Sequence, residues 1–202
     1  MRSRAIAMGG SVILALVLGP GDAVSNTGAP VDVTQSAEIV RAGQTRVLVV
    51  GTDILVGDVI QTGSVGNAQL LFQDNTRIVV GPNSALTIET ALFRSAGSAE
   101  SFAVNVTRGA FRFVTGNSQS SAYSIRTPTA TLGVRGTSFD LAVDGAARTD
   151  LVLFDGEVRF CSTRRGSACA VVRGNCAVVG IDAGGSFDVP ETRNARDGLL
   201  AQ

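Results

Sequence analysis

Histidine, lysine and tryptophan are all missing from this 202-residue chain, and each absence closes off a class of chemistry. A Ser-His triad needs an imidazole base and a Ser-Lys pair needs an amine, so Thr137 and Ser138, which follow a glycine turn, are read as strand residues and not as nucleophiles. Gly133-Val134-Arg135-Gly136-Thr137 resembles a phosphate-binding loop only in its glycines, because it has neither the lysine nor the helix that such a loop requires. Cysteine is scarce too: Cys161, Cys169 and Cys176 have no fourth ligand at metal-binding spacing. The acidic residues form no dense run of oxygen ligands of the kind calcium needs. No metal and no cofactor are therefore expected. Lys+Arg and Asp+Glu each number 17, so the net charge is zero and the basic footprint of nucleic-acid binding is lacking.

What is present favours strands. Glycine contributes 24 residues against 5 prolines, among many Val, Ile, Thr and Phe, a composition suited to strands joined by tight turns. Apolar residues alternate with polar ones at Ala68, Leu70 and Phe72, at Phe102, Val104 and Val106, and at Phe139, Leu141 and Val143. Further strand material lies at Arg46 to Val50, Ile78 to Val80, Leu151 to Leu153 and Val158 to Phe160. Turns are predicted at Asp74-Asn75, at Gly81-Pro82-Asn83, and most strongly at Asp144-Gly145 and Asp155-Gly156, where Asp-Gly reads as a hairpin. Thr90 to Glu100 has no clear period and reads as a surface excursion, and Gly116 to Ser121 as a flexible loop. Beyond residue 18 no apolar stripe of helical period lasts ten residues, and strand-like runs recur about every 8–12 residues. A single all-β domain follows, either a β-sandwich or a β-solenoid-like roll.

The amino terminus carries an address. Arg2 and Arg4 precede an uncharged apolar run from Ala5 to Leu18, followed by the small residues Gly19 to Ala23. That run is shorter than the roughly 20 residues of a membrane-spanning helix and suits a cleavable secretory signal. The expected organisation is a signal peptide over 1–23, a flexible lead over 24–43, the all-β domain over 44–183 and an irregular tail over 184–202. An exported chain reaches an oxidising compartment, where disulfides persist. Cys161 and Cys169, flanking the polar loop Ser162 to Ser167, are the preferred pair, with Cys176 free or paired between chains; bridges from Cys176 to either of the others remain open.

Several segments, taken in order, resemble the FecR family of bacterial periplasmic domains. They are Gly57-Asp58-Val59-Ile60-Gln61-Thr62-Gly63, Leu70-Leu71-Phe72-Gln73-Asp74-Asn75, Thr127-Pro128, Gly136-Thr137-Ser138-Phe139 and Asp155-Gly156-Glu157-Val158, within a resemblance running from about Gly51 to Val179. The best-studied members are membrane-spanning regulators whose periplasmic domain senses an outer-membrane transporter while a cytoplasmic segment controls a sigma factor. Here no such segment precedes the apolar run. The resemblance thus implies a non-enzymatic, exported interaction or sensing domain, periplasmic and soluble after signal cleavage, that binds a protein partner in the cell envelope without the sigma-regulating segment.

Two other classes stay in view. A structural protein binding polysaccharide or peptidoglycan would use Arg164 and Arg165 at a loop tip, and a carboxylate hydrolase would need a pair such as Asp140 with Asp144 or Asp155 with Glu157. Against the hydrolase, Asp144 and Asp155 have a structural use before glycine. Phe111 and Phe113 share one strand face and read as core, as does Phe139.

Overall fold

The computed structural model describes residues 26–94, 97–118, 122–166, 168–188 and 199–201. The signal segment expected over 1–23 lies outside them. The two-residue alternation is realised as strands β1 (Gly28–Thr34), β2 (Ala37–Arg41), β3 (Gln44–Val47), β4 (Val59–Thr62), β5 (Asn67–Phe72), β6 (Arg77–Val80) and β7 (Ala85–Phe93). There follow β8 (Ala99–Val114), β9 (Tyr123–Arg126), β10 (Ala130–Val143), β11 (Thr149–Ser162), β12 (Cys169–Arg173), β13 (Ala177–Ile181), β14 (Phe187–Asp188) and β15 (Leu199–Ala201). The described residues are all-β, as expected.

The three longest strands set the architecture. In β8 the buried side chains are Phe102, Val104 and Val106, then Phe111 and Phe113. In β10 they run Ala130, Leu132 and Val134, then Thr137, Phe139, Leu141 and Val143, and in β11 Leu151 and Leu153, then Val158 and Phe160. Each strand switches between even and odd residues partway along. Since side chains alternate strictly, such a switch requires an extra residue in the ladder, a bulge. The switches fall at Gly109, Gly136 and Gly156, which have φ values of 100°, 54° and 92°.

Because of these bends, each long strand belongs to two layers, the arrangement by which sandwich corners are made. One layer runs β1-β5-β6, the second half of β8, the second half of β10, the first half of β11, β13 and β14. The other runs β3-β2-β4-β7, the first half of β8, β9, the first half of β10, the second half of β11, β12 and β15. Among the described strands only β8 and β9 pair in parallel. The layers meet face to face: Phe72 of the first lies edge-on to Phe102 of the second, centroids 4.8 Å apart, and Phe187 approaches Phe160 at 6.2 Å. Within the first layer Phe113 and Phe139 stack at 5.1 Å, both buried. The result is a two-layer roll in which one sheet folds over its own core.

Four local expectations need correction. The lead over 24–43 is not irregular between Gly28 and Arg41: it holds β1 and β2. Small polar residues hide the alternation, and β1 owes its strand form to pairing with β5, against which Gly28 packs so closely that a Cβ would stand 2.5 Å from the Leu71 carbonyl oxygen. Thr90 to Glu100 is mostly strand, the ends of β7 and β8, whose register shifts at Ile88/Thr90 and Leu92/Phe93 erase the period. Asp155-Gly156 is no hairpin turn; it lies inside β11 at the bend. The tail over 184–202 contains β14 and β15, each recruited by an edge of the roll. By contrast, turns form as expected at Asn75, at Pro82-Asn83 and after Asp144, where Asp144 N–H donates to the Arg148 carbonyl at 3.1 Å.

Candidate functional site

The chemistry-bearing residues singled out from the sequence are occupied in holding the roll together. Asp58 is buried; Arg41 donates to both of its oxygens at 2.7 Å, and the Leu55 N–H donates at 2.7 Å. The Thr127-Pro128 segment belongs to a threonine cluster, with Thr149 Oγ1 2.8 Å from both Thr127 Oγ1 and Thr129 Oγ1. Thr137, in the Gly-Thr element, is buried and its hydroxyl has no hydrogen-bond partner among the described residues, and Ser138 follows in the same strand. Asp140 receives a two-pronged ion pair from Arg112 at 2.7 and 2.8 Å, Asp144 accepts from the backbone of its own turn, and Glu157 pairs with Arg173 at 2.5 Å. Asp155 stands exposed at the bend.

Cys161 and Cys169 face each other across β11 and β12 and are bridged, with an S–S distance of 2.08 Å; Cys176 is exposed and free. Arg164 and Arg165 are exposed in the loop between these strands, their backbone N–H groups donating to Ser162 Oγ. Nearby, the carboxyl of Asp182 is held below its ordinary value, first by the Ser186 N–H and more weakly by Arg165. Among the described residues no group of three His, Cys, Asp or Glu side chains is placed to hold a metal ion.

One polar centre escapes sequence reasoning. Asp74, read as a turn residue, is fully buried and accepts from the Thr76 N–H at 3.0 Å, Thr76 Oγ1 at 2.9 Å, Ser118 Oγ at 2.9 Å and the Tyr123 hydroxyl at 2.6 Å. Burial and the Asp74 carboxylate together raise the Tyr123 phenol above its ordinary pKa. Among the described residues no cation pairs with Asp74, and the network satisfies the carboxylate by hydrogen bonding while tying the β5–β6 turn to β9.

Two surface features remain for binding. A shallow groove of about 300 Å³ crosses the outside of the first layer, bordered by the small residues Gly81, Ala110 and Ala142 and by Val79 and Val152. Its ionic side chains are already paired, Arg112 with Asp140 and Asp150 with Arg148. The other feature is β3, the outer strand of the second layer, whose four residues are all exposed. It ends at Val47 and leads into Val49 and Val50, the three being 74%, 57% and 61% exposed, and Val31 stands exposed nearby on β1. A hollow of about 270 Å³ beside it is lined by Val33, Ala37 and these three valines, and another of about 180 Å³ by Ile39, Arg41, Arg46 and Thr52. Monomeric proteins seldom leave a contiguous apolar patch beside an open sheet edge unless something covers it. The signal was present in the sequence as consecutive valines that break the alternation, but the sequence alone does not say that β3 ends the sheet.

The family model described as FecR protein matches residues 58–159, half of the chain. The chain belongs to the FecR family. The match lies inside the Gly51–Val179 span of the expected motifs and covers Asp58, Asp74, Thr127, Thr137 and Gly156, whose structural roles are described above. Two crystal structures of a candidate anti-sigma factor from Parabacteroides distasonis share the fold, with TM-scores of 0.51 and 0.50, each at 16% identity over 64% of this chain and 57% of the other. This FecR chain therefore spans little more than half the length of that protein. No curated protein matches it. Among the described residues no helix is long and apolar enough to cross a membrane.

Proposed function

We propose that this FecR domain is a non-enzymatic sensing and interaction domain, exported to the periplasm, that binds a protein partner in the cell envelope. The observation carrying the reading is the exposed valine patch at an open sheet edge in a FecR domain whose motif residues are spent on structure. Apolar side chains beside unpaired backbone suit another polypeptide. The Arg2, Arg4 and apolar leader supports export, and the Cys161–Cys169 bridge suits an oxidising compartment.

A photo-crosslinking residue at Val50 in living cells tests this. The expected result is a defined protein adduct on a chain recovered without detergent from the periplasm, its amino terminus shortened by about 20–30 residues. No adduct, together with retention of the purified domain on sacculi, would instead establish the polysaccharide- or peptidoglycan-binding alternative, with Arg164 and Arg165 as its first contacts.

A further inference from the structure

The backbone of β3 has a definite polarity of hydrogen bonding. Ala42 and Gly43, at φ 49° and 77°, form a two-residue turn of the kind that joins twisted strands. That turn makes Arg41 and Gln44 a hydrogen-bonded pair, and the alternation then continues through Ile39 with Arg46 and Ala37 with Leu48. The last of these is seen directly, Leu48 N–H donating to the Ala37 carbonyl at 2.9 Å. Thr45 and Val47 fall at the intervening positions, so their N–H and C=O groups point away from β2, where the described residues provide no strand to receive them.

The usual protections of an edge are missing. β3 has no proline and no bulge, and Arg46 is its one charged residue. Arg46 has no carboxylate partner among the described residues; its guanidinium reaches only the Gln44 side chain, at 3.1 Å. On the same side Arg41 is already committed to Asp58. The edge thus presents two unpaired peptide groups, one unneutralised cation and exposed valines.

We infer that β3 is the docking strand of this domain: it accepts an extended segment of a protein partner as an added strand, with a carboxylate opposite Arg46 and apolar side chains against Val47 and Val49. The inference rests on the protein-binding reading above and names its surface. Charge complementarity selects the acidic residue, and the valines select its apolar neighbours. A second copy of this chain fits less well. A two-fold axis through Arg46 would set two guanidinium groups opposite each other, and one through Val47 would run both strands into the turn at Val50-Gly51.

The probe is the blocked peptide acetyl-Thr-Val-Glu-Val-Thr-Val-amide, added to the exported protein while amide exchange is followed by NMR. The expected result is saturable binding below about 1 mM, with exchange at Thr45 and Val47 slowed roughly tenfold or more. Thr45→Pro should weaken binding about tenfold, because proline removes a donor that points outward and leaves the β2 ladder intact. Arg46→Glu should likewise weaken it, and a peptide with Lys in place of Glu should restore it; this charge exchange carries the test if the proline variant fails to fold. No binding at 1 mM, protection confined to other amides, indifference to both variants, or a free protein already dimeric through β3 would each overturn the inference. An in-cell adduct that persists unchanged in both variants would overturn it while leaving the protein-binding reading intact, whereas loss of the adduct from the wild-type chain would remove that reading.

Discussion

The Tyr123 hydroxyl, 2.6 Å from a buried carboxylate, is open to direct optical titration, since it belongs to the one tyrosine of a chain without tryptophan. Burial and Asp74 both disfavour the tyrosinate, so the folded phenol titrates above the unfolded value of about 10. A group whose folded pKa is raised contributes stability fully below the unfolded pKa and loses it as pH rises through the folded one. The near-ultraviolet tyrosinate band should therefore appear at higher pH in the native protein than in urea, and stability should decline above about pH 10. Coincident native and denatured titrations would show that Tyr123 is not held as described. Tyr123→Phe should cost about 1–3 kcal/mol at neutral pH, the penalty of removing a donor from a buried acceptor. Individual side chains differed in how plainly the sequence displayed them. The burial of Phe111, Phe113 and Phe139 follows from a local alternation, whereas Asp74 meets Tyr123 across 49 positions, a separation that no local pattern spans.

Two Asp-Gly dipeptides look alike as sequence and behave differently as elements. Asp144-Gly145 closes the β10–β11 hairpin, where Gly145 has no positive φ and a Cβ would meet nothing within 4 Å. Gly156 bends β11 at φ 92°, and a Cβ there would lie 2.1 Å from the Gly136 carbonyl oxygen and 2.9 Å from Thr137 Cγ2. Gly156→Ala should accordingly destabilise the domain by on the order of 1–3 kcal/mol for the backbone conformation alone, with the collision adding to it. Gly145→Ala should stay within about 0.5 kcal/mol of the parent. Urea denaturation of the two variants decides the point, and equal effects would contradict the assignment of the bend to Gly156. The distinction was hidden from the sequence because it depends on Gly136 arriving from β10, twenty positions earlier in the chain. The strand at β3 shows the same limit: its residues are legible as a strand, but its place at the sheet's end depends on which later strands pair with β2 and β4.

At the scale of the molecule, the all-β class was readable from the period of two and the turn spacing, but the order of strands was not. Pairings such as β1 with β5, or the parallel contact of β8 with β9, join segments that share no turn. The long strands turn this topology into a mechanical property. β8, β10 and β11 each contribute ladder bonds and buried side chains to both layers, and the Cys161–Cys169 bridge fastens β11 to β12 within one of them. Opening either layer would pull out half of every long strand and expose the inner face of the other. The two layers should therefore unfold together, in one cooperative transition. Phe139→Ala strikes the first layer and Leu132→Ala the second, both at fully buried positions of β10. Each should cost roughly 2–5 kcal/mol, as large-to-small core substitutions do. In urea, far-ultraviolet circular dichroism reports the whole sheet, and Tyr123 fluorescence reports β9 of the second layer where it is tied through Asp74 to the β5–β6 turn. Either substitution should move both signals to the same lower midpoint. If Phe139→Ala instead split the signals, with the Tyr123 transition staying at the parent midpoint, the layers would be separate folding units and the bent strands mere connections between them.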